Sequence, residues 1–218
     1  MSDTTALGSS EPPPAAILQR FESLGDNCEF GMMQRHYGVE RFSLLRWGSF
    51  VGGFAGLLTA VRFHFVNVGA NVDHHINGNE YISHDMTYGI VFHTDKMVGT
   101  IDPDKLVANE RVRIAYLARN LVDELREGSG IFVYKREKGI DEAQVRELHA
   151  ALRAIGPVRL LWVVPAMDPA QVGTVERIGP DLIRAYIDRF SPDEAVLSYC
   201  SYEVWLQICQ AALALVDS

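Results

Sequence analysis

Cysteine is scarce in this sequence, with three in 218 residues. Three thiols cannot staple a secreted mini-domain, and an odd number fits a reducing compartment or a thiol with a task of its own. Basic charge is also scarce. Lys and Arg total 20 against 28 Asp and Glu, a net charge of −8. A general nucleic-acid binder needs a basic footprint on the phosphate backbone, so that class is excluded. No apolar run approaches the roughly 18–20 residues that span a bilayer. The longest candidate, Phe50 to Val61, is interrupted by Gly52, Gly53 and Gly56. Residues 1–16 lack the basic start and apolar core of a secretory signal, so the cytoplasm is the expected compartment. P-loop, GxGxxG, HExxH and GxSxG motifs are missing too, which weakens the kinase and dehydrogenase readings and leaves no cofactor expected.

What is present is an ordinary globular balance. Hydrophobic residues make up 48% and charged residues 22%, too apolar for disorder throughout. Residues 1–16, with Pro12, Pro13 and Pro14 in a row, read as a flexible tail. No repeat or low-complexity linker follows, so residues 17–218 read as a single domain. Phe30, Met33 and Tyr37 predict a short amphipathic helix over 28–37, capped by Asp26 or Asn27. A second helix with a glycine-rich start is expected over 49–61. Residues 62–93 look β-rich: RFHFVNV alternates like a strand, YIS is short and β-prone, and YGIVFH ends in a polar cluster.

Downstream the pattern changes. Asp102-Pro103 opens a long helix ending near Glu127, and IFVYK (131–135) is a buried strand. A helix over 141–154 and the strand VRLLWVV (158–164) follow. Residues 182–190 stay open between strand and helix, and 201–216 read as a C-terminal helix. Strands alternating with helices through short loops predict a three-layer α/β sandwich with a mainly parallel central sheet.

Of the three thiols, Cys200 and Cys209 read as small buried hydrophobes, and their nine-residue spacing suits no zinc site. Cys28 differs. It sits in FESLGDNCEFG at a predicted helix N-terminus, where the helix dipole and unpaired backbone N–H groups favour a thiolate. The same N–H groups suit an oxyanion.

A thiol enzyme needs a base, and four histidines lie close together: His74, His75, His84 and His93. His93 follows the apolar run YGIVF, which places it at a strand's C-terminal end, where open α/β sheets bind ligands. Asp95 shares its face if the intervening residue is extended, and is placed to orient the imidazole. His84-Asp85 is the rival pair, and His74-His75 reads as a loop. Asp73, His74, His84 and His93 have no recognisable ligand spacing, so no metal is expected. Arg35, Arg41 and Arg46 cluster just after Cys28, a local basic patch able to hold a carboxylate, a phosphate or an anionic sugar, with pairing to the surplus acids as the bland alternative.

The stretch FESLGDNCEFGMMQRHYGVERFSLLRWG resembles the opening motif of a bacterial family described as papain-like cysteine peptidases of unknown function. The positions that carry the resemblance are Ser23, Leu24, Gly25, Asn27, Cys28, Gln34, Arg35, Phe42, Ser43 and Trp47, with YGIVFHTD downstream at His93 and Asp95. It covers about residues 20–165. The resemblance implies Cys28 as nucleophile and His93 as base, a papain-like α+β fold as the alternative architecture, and a glycan context through neighbouring glycosyltransferases. One departure is Leu45-Arg46-Trp47, where the family has a run containing an Asp.

The expectation is therefore a cysteine-dependent hydrolase or acyl transferase. Cys28 attacks a carbonyl, His93 moves the proton, Asp95 orients it, and Asn27 with backbone N–H groups holds the oxyanion. Its substrate is a small molecule, a peptide or a glycan. The alternative is a non-catalytic accessory module of surface-glycan biosynthesis that uses the arginine patch for anion contact.

Overall fold

The computed structural model describes residues 12–192 and 196–218. Residues 1–11, most of the expected tail, lie outside that range. The tail's last residues, Pro14 to Ala16, open helix α1 (Pro14–Leu18), whose buried residues Ile17 and Leu18 belong to the expected domain. Strand β1 (Phe21–Ser23) follows, then helix α2 (Glu29–His36), strand β2 (Gly48–Phe50) and helix α3 (Gly53–Arg62). Three strands come next: β3 (Val72–Asn77), β4 (Glu80–Asp85) and β5 (Ile90–Met97). The second half is helix α4 (Pro103–Glu127), strand β6 (Ile131–Lys135), helix α5 (Glu142–Arg153), strand β7 (Arg159–Pro165), strands β8 (Val175–Gly179) and β9 (Leu182–Ile187), and helices α6 (Val196–Tyr199) and α7 (Tyr202–Asp217).

The central sheet has the order β1-β6-β7-β9-β8, parallel except for the β8–β9 pair. Its strands alternate between two cores. Phe132, Tyr134, Leu160 and Trp162 face one side with Ile114 and Leu121 of α4 and Val145 and Leu148 of α5. Ile131, Val133, Leu161 and Val163 face the other with Phe30 and Met33 of α2 and Trp205 and Ile208 of α7. Helices therefore cover both faces, as a buried parallel sheet requires. This is the α/β sandwich expected from the alternation of strands and helices.

A second sheet, order β2-β5-β4-β3, is wholly antiparallel. Two expectations change here. The strand YGIVFH is not the first strand of the parallel sheet; it is β5 of this second one, and β1 takes the place beside β6. The histidines His74 and His75 lie on β3, not in a loop. The turn Gly78-Asn79 joins Asn77 to Glu80 as a two-residue hairpin, with Gly78 at φ of 59° in the first central position, where such turns favour glycine.

RFHFVNV is not a strand. The buried residues there are Val61, Phe65 and Val68, spaced by four and three, so they continue the apolar face of α3 through successive turns. Phe63, which shares the alternation with Phe65, is 61% exposed. Residues 49–61 divide into β2 and α3, and the ambiguous 182–190 segment supplies β9.

Candidate functional site

The loop after β1 sits at the C-terminal edge of the parallel sheet and leads into α2. Cys28 is the N-cap residue of α2, since its carbonyl accepts the first helical hydrogen bond from Met32 N at 2.9 Å. Both of its neighbours are tied down. The Asn27 Oδ1 accepts from Glu29 N at 3.0 Å, and Asn27 Nδ2 donates to Ser191 O at 3.4 Å. The Glu29 carboxylate accepts from Trp205 Nε1 at 3.0 Å and meets Lys135 Nζ at 2.9 Å. Cys28 itself is half-buried and forms no disulfide.

Cys28 lines a cleft of about 200 Å³ with Asn27, Trp47, Ile82, Val91 and His93. The thiol and the histidine thus come from different sheets: α2 follows the parallel sheet, while His93 lies on β5 of the antiparallel one. His93 is mid-strand rather than at a parallel strand's end. Its cross-strand partner is Ile82, and its side chain is 61% exposed.

The carboxylate on the imidazole is Glu80, with Oε2 at 3.0 Å from Nδ1. Glu80 Oε1 in turn accepts from Thr94 N at 3.0 Å and Asp95 N at 2.9 Å. Partial burial raises the Glu80 carboxyl pKa, but the bonds from His93 and the two backbone amides outweigh it and hold the group below its ordinary range. Asp95 therefore supports Glu80 through its backbone, and its side chain is not the group bonded to His93. The reason is local. The β4–β5 register shifts between Glu80 and Ile82, and Asp95 takes φ of 54°. This β-bulge breaks the alternation on which a shared His93–Asp95 face depended. Glu80 was signalled only indirectly, by the NGNE hairpin that fixes the register of β4. The rival histidine, His84, stands opposite Asp73 and Val91.

The three arginines do not line the cleft. Arg46 is fully buried, and its Nη2 donates to Gly31 O at 3.2 Å and Val39 O at 2.6 Å, with Nη1 reaching Arg41 O at 3.3 Å. A Cβ on Gly31 would stand 2.6 Å from Arg46 Cγ, so glycine is what lets this side chain pass. Arg41 Nε pairs with Glu22 at 3.2 Å and its Nη2 with Glu124 at 2.9 Å. Arg35 pairs with Glu40 at 3.0 Å and lies over Trp47, 4.3 Å from the ring centroid. The surplus acids have claimed the patch, and the expected anion contact is not assembled beside Cys28.

Cys200 and Cys209 are buried, as their apolar contexts suggested. Burial, with Glu29 nearby, pushes the Cys200 thiol up to about 12, and burial also raises Cys209. Among the described residues no group of three or more His, Cys, Asp or Glu side chains is arranged to hold a metal ion. No described helix is long and apolar enough to cross a membrane. No family model, curated protein or solved structure is detectably similar to the chain.

Proposed function

We infer that the protein is a cysteine-dependent acyl hydrolase or acyl transferase, with Cys28 as nucleophile and His93 as general base. The observation that carries the reading is the cleft shared by Cys28 and His93, with the imidazole already bonded to a carboxylate. A Nδ1–H donated to Glu80 leaves Nε2 as the basic nitrogen. In the proposed reaction His93 takes the Cys28 proton, and the thiolate attacks an acyl carbon to form a C–S bond. The leaving group departs with the proton from His93. Water, or a second nucleophile activated by His93, then cleaves the thioester and restores the thiol. The N-terminal N–H groups of α2 offer donors to the oxyanion. Asn27 contributes by shaping that turn, because both ends of its amide are engaged.

Iodoacetamide alkylation of Cys28, followed across pH, tests the pair. The expected rate persists below the pH range of an ordinary thiol, about 8.5, and His93→Ala removes that low-pH reactivity. A profile like that of an ordinary thiol, unchanged by His93→Ala, overturns the reading. The accessory-module alternative rested on the arginine patch, which the internal pairing of Arg41 and Arg46 does not favour.

A further inference from the structure

A concavity larger than the Cys28 cleft lies elsewhere on the molecule. It is a groove of about 640 Å³ between the turns at 63–68 and one face of α4. Its volume falls in the range of small-molecule sites. Two features make its shape fixed. His64, Phe65 and Asn67 all hold left-handed backbone conformations, with φ of 50°, 54° and 63°. Such conformations in non-glycine residues persist only where the surroundings impose them. Here Phe65 and Val68 are buried, and Gly69 N donates to the buried carboxylate of Asp85 at 2.8 Å. Gly69, at φ of 84°, is pressed so close to α4 that a Cβ would meet Ala115 N at 2.7 Å.

The floor beneath includes the apolar residues Phe65, Val68, Ala118 and Val122, with the polar His64 and Asn67 beside them. Phe63 and Val66 stand above it, 61% and 54% exposed. The charges at the rim are Arg119, Asp123 and Arg126, all on α4. Arg126 is neutralised by Asp123 at 3.0 Å. Arg119 is exposed and has no carboxylate partner among the described residues. In a chain of net charge −8, a guanidinium without a carboxylate partner at the rim of a groove that also offers apolar side chains is a specific pairing. It matches an apolar body carrying one anionic head.

We propose that this groove is a binding site for a small amphipathic monoanion, an acyl or aromatic carboxylate or sulfonate, whose apolar part lies on the Ala118–Val122 floor and whose head is held by Arg119. The site is separate from the Cys28 cleft and does not depend on the activity proposed there.

The probe is 1-anilinonaphthalene-8-sulfonate, titrated by fluorescence against the folded protein. Wild type and a control, Lys138→Glu, which makes the same charge change outside the groove, are expected to bind it saturably with equal affinity. Arg119→Glu, at an exposed position, is expected to keep the melting curve and to bind roughly tenfold more weakly, the scale of one lost charge-assisted contact. Decanoate displaces the probe, while decanol, with the same chain and no charge, does not at equal concentration. The proposal is overturned if wild type shows no saturable binding, if Arg119→Glu binds as tightly as wild type or weakens no more than Lys138→Glu, or if decanol competes as well as decanoate.

Discussion

The Glu29 carboxylate and the Lys135 ammonium meet at 2.9 Å with neither side chain reaching solvent. Lys135 closes β6 and Glu29 opens α2, so the pair joins the central sheet to the residue next to Cys28. The charges approach without hydrogen-bond alignment, and the Lys135 Nζ also lies 5.0 Å from the Phe190 ring centroid. A buried ion pair of this kind gains little over an apolar pair, but removing one member strands the other. Lys135→Met is therefore expected to cost about 3–5 kcal/mol. Glu29→Gln with Lys135→Met keeps an acceptor for Trp205 and removes the stranded charge, so it recovers most of the loss. Urea denaturation midpoints of the single and double variants check this.

Glu22 is the second buried carboxyl with a measurable consequence. It lies on β1, accepts from the Ser43 hydroxyl and pairs with Arg41. Burial, and then repulsion from Glu124, raise its pKa to about 7 from an ordinary 4.5. The folded state thus holds a proton that the unfolded state releases. The stabilisation is complete below about pH 4.5 and is lost as pH rises through about 7. The shift corresponds to a loss on the order of 3 kcal/mol across that window. Glu22→Gln is expected to flatten it, raising Tm relative to wild type at pH 8 and changing it little at pH 5. Thermal melts at the two pH values decide, and an equal change at both would refute the assignment.

Arg46 makes the opposite point, that a conspicuous charge need not be a binding group. Burial lowers its pKa, yet its two terminal nitrogens donate to three backbone carbonyls, Nη1 also meets Glu40 at 3.2 Å, and the guanidinium lies 4.9 Å from the Trp47 ring centroid. Arg46→Lys keeps the charge but cannot span Gly31 O and Val39 O together, so it is expected to cost about 2–3 kcal/mol. Gly31→Ala should cost a similar amount by displacing the same side chain. If the role is structural, millimolar phosphate leaves the wild-type Tm unchanged. Differential scanning calorimetry with and without phosphate measures both effects.

Much of the fold was legible because its elements carry strong local signals. Asp102-Pro103 and Gly128 bracket α4, and its Lys105 N–H does bond to the Asp102 cap. IFVYK and VRLLWVV have the continuous apolar run of strands buried on both faces. What escaped was non-local. Pairing partners are not written in a strand's own composition, so the antiparallel sheet around β5 is not legible from any one of its strands. The histidine's carboxylate was misplaced for the same reason. The choice between Asp95, two residues away, and Glu80, on the next strand, turned on one bulge. Of the acids that meet the three arginines, Glu40 is local in sequence, but Glu22 and Glu124, which hold Arg41, come from β1 and α4.

That bulge leads to the most specific expectation for the site. If Glu80 orients His93 and stabilises its protonated form, Glu80→Gln keeps a hydrogen-bond acceptor and removes only the charge. The imidazolium that would accompany a Cys28 thiolate then becomes less favourable, and the pH midpoint of Cys28 alkylation should move up by about one unit. Asp95→Asn keeps the backbone N–H that Glu80 uses, so it should leave the midpoint in place. Cys200 and Cys209 serve as internal controls. Both are buried with raised pKa values, so native alkylation should stop at a single adduct on Cys28. Peptide mass mapping of the adduct and the two pH profiles give the outcome. A midpoint that moves in Asp95→Asn but not in Glu80→Gln would return the orienting role to Asp95, because a purely structural defect would lower the melting temperature without choosing between the two carboxylates.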